Sequence, residues 1–143
     1  MSVKFEGLED LLQNFNEFLF DTNKALDEGV FAVANDVRNT AIKSIQTKRD
    51  GRTVTRYTAN GNPYSHVAAK AGGPPNTDTG DLVKSIAVEH EKGSQVAFVG
   101  TDMEHGAWLE VTGWPWLEPA KESNIGNMKN QIAKAIKRQI DEV

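Results

Sequence analysis

Leu8, Leu11, Leu12, Phe15, Phe18 and Leu19 recur at intervals of three and four, the spacing that gathers apolar side chains on one face of a helix. Asp21-Thr22 can then cap a new start, after which Leu26, Val30, Val33, Val37, Ala41 and Ile45 resume the same period. The pattern predicts two helices, a short amphipathic one and a second over residues 22–46 that ends near Thr47. At 1.5 Å per residue the second would be about 37 Å long, more than a domain of this size needs to cover its own core. A helix of that length is expected to reach a neighbouring molecule.

The period is lost between residues 47 and 75, where Gly, Pro, Asn and Thr accumulate, and this stretch is expected to be a long basic loop. Asp78-Thr79-Gly80-Asp81 offers capping side chains for one helical turn through Leu82 and Ser85. A period of two then takes over. Ile86–His90 and Gln95–Val99 flank Glu91-Lys92-Gly93-Ser94, which predicts a hairpin with Gly93 at a positive-φ turn position. Two strands alone are marginal in water, so a third, over Thr53–Tyr57, or a packed helix is expected to support them. Residues 103–111 suit a short helix carrying Trp108 and Leu109 and broken at Thr112-Gly113 and Pro115. Ile125, Met128, Ile132, Ile136 and Ile140 mark a terminal helix, with Lys129, Lys134, Lys137 and Arg138 elsewhere around it.

Strands grouped between helices predict an α+β fold: long N-terminal helices and a C-terminal helix packed on a small antiparallel sheet. At 143 residues the chain suits one domain with one core. It has no cysteine and only three histidines, which excludes thiol catalysis and thiolate metal sites. No apolar run reaches the length of a membrane span, and the start lacks the pattern of a secretory signal, so synthesis in the cytosol is expected.

Charge refines the picture. Residues 1–46 carry four basic and eight acidic side chains, residues 47–75 five and one, and residues 76–143 seven and eleven. The basic stretch holds Lys48, Arg49, Arg52, Arg56 and Lys70, interleaved with Tyr57, Tyr64 and His66, the residue types that meet phosphates and stack on bases. With no recognised nucleic-acid motif, a solvated loop, or one paired with an acidic patch on a neighbouring subunit, is the favoured account of them.

Candidate chemistry is thin. Glu89/Glu91 and Glu104/Glu110 read as solvated faces rather than catalytic dyads. His90-Glu91 and His105 have no metal-ligand spacing. Gly72-Gly73-Pro74-Pro75 ends in prolines that cannot donate N–H to a phosphate, and Ser65-His66 is merely an adjacent pair. No catalytic site, cofactor or metal is expected. Trp114-Pro115-Trp116 stands out. Prolines 115 and 119 hold the residues before them extended, so the segment from Trp108 to Pro119 should turn a corner, with Trp114 and Trp116 on opposite sides, one facing the core and the other facing out.

Four short stretches, in order along the chain, together carry a resemblance. Thr79-Gly80-Asp81-Leu82-Val83-Lys84-Ser85-Ile86 resembles the T-G-x-L-x-x-S-I signature of the phage tail-component family named after gene product ten of a lambda-like coliphage, whose members are described as tail-completion, neck or head-tail joining proteins. That family continues with Y-A-x-Y-V-E-x-G-T and P-F-L-R-P-A; this chain has His105-Gly106-Ala107-Trp108-Leu109-Glu110-Val111-Thr112-Gly113 and Pro115-Trp116-Leu117-Glu118-Pro119-Ala120. The opening Val3–Leu12 is similar to the family's G-L-x-x-L start. The chain departs at Thr112-Gly113, which is reversed, at His105 for Tyr, at Trp116 for Phe and at Glu118 for Arg.

The resemblance implies a non-catalytic virion protein, assembled in the host cytoplasm into a homo-oligomeric ring around the DNA path. Its partners would be copies of itself and head-connector or tail-tube proteins, with only passing contact to packaged DNA and none to membrane. On that reading Thr79, Gly80, Leu82, Ser85, Ile86, Trp108, Glu110, Pro115, Trp116 and Pro119 form the structural motif, with Trp116, at the aromatic position of P-F-L-R-P-A, facing the core, and Trp114 with Glu118 forms an assembly interface. A DNA-binding protein outside any virion, using residues 47–75, is the alternative, and a small hydrolase built on His66, His90 or His105 a more distant one.

Overall fold

The computed structural model describes residues 8–141; the opening run Val3–Gly7 lies outside them. The elements follow in the order α1 (Leu8–Gln46), β1 (Gly51–Tyr57), β2 (Pro63–Ala69), α2 (Asp81–Ser85), β3 (Ala87–His90), β4 (Ala97–Gly100), α3 (Glu104–Thr112) and α4 (Glu118–Asp141). The chain is thus α+β, with a long N-terminal helix, a C-terminal helix and two small antiparallel sheets.

The two expected N-terminal helices are one. α1 runs for 39 residues, about 58 Å at helical rise, straight through Asp21-Thr22. Neither residue breaks a helix as Gly or Pro would, and both cost only a few tenths of a kcal/mol in its interior. Thr22 also falls in step with the apolar stripe, four residues before Leu26, and its hydroxyl is buried without a hydrogen-bond partner. The stripe itself is confirmed: Val33, Val37, Ala41 and Ile45 are buried at successive i+4 positions.

α1 ends in a dense set of caps. Thr47 N–H and Oγ1 both donate to Lys43 O, at 3.0 and 2.8 Å, and Thr77 Oγ1 donates to Ile45 O at 3.2 Å. Arg49 Nη1 donates to Ser44 O and, at 2.9 Å, to Thr47 O. The carbonyls that every helix end leaves without partners are satisfied here by residues from beyond the helix.

The expected loop over 47–75 is largely a hairpin. β1 and β2 pair antiparallel from Gly51↔Ala69 to Tyr57↔Pro63, and the turn formers Ala59-Asn60-Gly61 close the end, with Gly61 at φ 82°. Thr53–Tyr57 is therefore a strand as expected, but it does not support the second hairpin; β1 and β2 form their own sheet. β3 and β4 pair from Ala87↔Gly100 to His90↔Ala97, and Gly93 takes the positive φ of the turn as anticipated. Support for that hairpin comes from α1. Phe31 stacks on the His90 ring at 4.8 Å, and Arg38 Nε donates to Ile86 O at 2.9 Å.

α4 packs antiparallel along α1, as three contacts record: Asn124 Nδ2 donates to Thr40 Oγ1 at 3.0 Å, Gln131 Nε2 to Asp36 Oδ2 at 3.2 Å, and Ile132 meets Gly29. Of its expected apolar stripe, Met128 reaches the core, whereas Ile125 and Ile140 are exposed. The core joins α1 to Ile86, Leu109, Trp116 and Ala120.

Candidate assembly surface

The family-like motifs converge on one corner of the molecule. The turn before α2 is made by Gly80 at φ 85°, not by a side-chain cap; Thr79 Oγ1 instead donates to Asp81 Oδ2 at 2.9 Å. Leu82 packs over Gly106, where any Cβ would fall 2.6 Å from the Leu82 Cδ1. Ser85 Oγ donates to Leu82 O at 2.7 Å and lies 2.6 Å from Thr101 Oγ1, and Ile86 is buried just ahead of β3.

Trp116 is buried, as expected, and its Nε1 donates to Gly106 O at 2.9 Å. Glu110 is no solvated face. Its carboxylate accepts N–H bonds from Trp116, Leu117 and Glu118 at 2.7–2.9 Å, so it caps the start of α4 from a different helix. Glu118 does not stay extended before Pro119 but begins α4, where proline in the first turn removes an N–H that had no partner anyway. Pro115 lies between the two tryptophans, just before this cap.

Trp114 is not the outward residue. It is half-buried against the core, and its Nε1 donates to Ala69 O at 2.8 Å, tying the corner to β2. Trp108 is the exposed one, at 53%, stacked between Trp114 at 6.1 Å and His105 at 6.0 Å. The outward-facing aromatic ring of this corner is therefore Trp108. Glu118 is exposed, near Lys121 at 3.6 Å.

The five cations of residues 47–75 divide. Arg49 caps α1 and is held by Asn76, whose Oδ1 accepts from its N–H at 2.8 Å. Arg56 pairs with Asp78 at 3.1 Å. Tyr64 Oη donates to the same carboxylate at 2.9 Å, which raises the phenol pKa, and His66 Nδ1 lies 3.7 Å away. Lys48, Arg52 and Lys70 remain exposed. Ser65 and His66 point to opposite faces of β2, as neighbours on a strand must. Asn76 left no mark in the sequence, and Asp78 stood there only as a capping side chain, because their partners are up to 27 residues distant.

Residues 52, 54 and 56 share one face of β1 with 64, 66 and 68 of β2, and this face borders a groove of about 580 Å³. Its other wall is built from Leu82, Trp108 and Trp114. The Arg52 side chain makes no ion pair or hydrogen bond among the described residues.

Backbone geometry adds a second feature. Thr58 N–H donates to Asn62 O at 2.9 Å, so the even-numbered residues of the hairpin bond across it and the odd-numbered ones face outward. On β2, Val67 O and Ala69 O are taken by Asn76 and Trp114. On β1, the outward N–H and C=O groups of Thr53, Thr55 and Tyr57 have no partner among the described residues.

Among the described residues no three histidine, aspartate or glutamate side chains are close enough to hold a metal ion, and no helix is long and apolar enough to cross a membrane. No family model, curated protein or solved structure matches the chain.

Proposed function

We propose that this chain is a non-catalytic structural protein of a long-tailed bacteriophage, a subunit of the head-tail junction or of the head-proximal end of the tail, made in the host cytoplasm and carried into the virion. It works by joining to copies of itself in a ring around the DNA path and to head-connector or tail-tube neighbours. The observation that carries this reading is the open outer edge of β1. An edge strand with unpaired N–H and C=O groups is a template for pairing, and proteins that stay monomeric usually blunt or cover it. Here the outward backbone groups belong to Thr53, Thr55 and Tyr57, residues of high β propensity, while Arg52 and Arg56 on the same strand favour a neighbour other than a second β1.

The motif residues support the reading in a different way. They shape the corner from which the groove and both hairpins are displayed, so the resemblance falls on the scaffold of the surface rather than on any reactive group. Contact with passing DNA would rest on Lys48, Arg52 and Lys70, since Arg49 and Arg56 hold the fold together. DNA binding outside a virion through residues 47–75 is less well supported, because two of their five cations, Arg49 and Arg56, are engaged within the fold. Electron microscopy of particles made without this chain tests the function: unjoined heads and tails are expected, and normal infectious virions would overturn it.

A further inference from the structure

We propose that the groove beside β1–β2 receives the outer face of the β3–β4 hairpin of a second copy of this chain. The inference rests on the assembly reading above and names the surfaces that carry it.

The hairpin offers a projecting apolar face. Glu89 lies opposite Phe98 and Ala87 opposite Gly100, all on the side turned away from α1, and Val96 continues that side. Phe98 is 68% exposed and Val96 48%, an unusual state for neighbouring large side chains on a small sheet. The groove offers the matching concavity, with Val54, Ala68, Leu82 and the Trp108 ring on its walls. Phe98 of the same chain does not fill it, because its side chain stands in solvent on a different sheet.

Charge selects the occupant. Residues 47–75 hold five basic and one acidic side chain, and residues 86–104, which contain the β3–β4 hairpin, hold four acidic and one basic. Within the groove Arg56 and His66 already face Asp78, whereas the exposed Arg52 side chain has no partner among the described residues. Glu89, directly across the strands from Phe98, is the carboxylate that would meet it. Self-pairing of β1 is disfavoured by the same logic. The antiparallel register that matches the whole strand with itself sets Arg52 opposite Arg56 twice, and like charges placed directly opposite repel. Groove and knob are different surfaces of one chain, so their contact is head-to-tail, the type that closes into a ring or runs on as a filament.

Sedimentation of the full chain over a range of concentrations tests this, with circular dichroism as the check on folding. Wild type should associate. Phe98→Asp should remain folded and monomeric. Arg52→Glu and Glu89→Arg should each weaken association by roughly tenfold or more, and combining both in one chain should restore it, because every contact then again joins opposite charges. A folded Phe98→Asp protein that associates like wild type, or a charge exchange that restores nothing, would overturn this contact while leaving assembly by another surface open. Loss of association in Trp108→Asp but not in Phe98→Asp would assign the groove to a different occupant and equally overturn it. A wild-type chain that stays monomeric at every concentration would overturn both this contact and self-association as its mechanism.

Discussion

Replacing Trp116 with alanine should destabilise the domain by about 3–5 kcal/mol, a large share of what a single domain possesses. Only 1% of the side chain is exposed, and it fills the space between Ile86, Leu109 and Ala120 where α3 turns into α4. Its removal leaves a void and also takes away the indole N–H bond that Gly106 O accepts at 2.9 Å. The neighbouring Trp108→Ala change should leave the melting temperature nearly unchanged, because that ring is half in solvent. Thermal melting of the two variants separates the roles. Equal stability of wild type and Trp116→Ala would show that the corner is not part of the core.

A second large effect is expected at Asp27, buried at 5% exposure on α1. Its carboxylate accepts from Gly93 N–H and Gln95 N–H at 2.8 Å and lies 2.9 Å from His90 Nε2, so one side chain holds the whole β3–β4 turn against the helix. The Gly93 bond first, then those to His90 and Gln95, lower its pKa from 3.8 to about 2 against the opposing effect of burial. A carboxylate whose folded pKa is depressed adds stability that is complete above its unfolded value and disappears as pH falls through the folded one. Asp27→Asn should therefore melt well below wild type at pH 7. The difference should shrink between about pH 4 and pH 2 and be gone below that. A gap between the two melting curves that stays constant across this range would contradict the clamp.

The inward stripe of α1, the Gly93 turn and the terminal helix were legible because each depends on local periodicity or on a residue with a special backbone preference. The continuity of α1 was not. Asp21-Thr22 has the chemistry of a cap, and only packing decides whether Thr22 serves as one or sits in the stripe. Strand β1 showed through its alternating Thr, Val and Tyr, whereas β2 was hidden by Pro63, Ser65 and two alanines, so a hairpin read as a loop. The candidate cations were visible as a cluster, but not their fates. Arg49 and Arg56 are engaged by Asn76 and Asp78, across 27 and 22 residues of chain, and no local pattern records such partners. Asp27 did leave a signal: an acidic residue beside the buried stripe of a helix needs a partner. The Trp114-Pro115-Trp116 corner was placed correctly, with Trp116 inward. That Trp108 is the outward ring depended on Ala69 O being within reach of Trp114.

The claim that this chain acts through surfaces left open for partners is tested most directly at the β1 edge, by amide hydrogen exchange of Thr53, Thr55 and Tyr57 in the free subunit and in the completed virion, where head-connector or tail-tube neighbours are present. These N–H groups point out of the hairpin and are expected to exchange rapidly in the free subunit, while Arg52, Val54 and Arg56, bonded across to β2, exchange slowly. On assembly the three outward amides should become protected. Equally rapid exchange of all three in the assembled state would contradict the account.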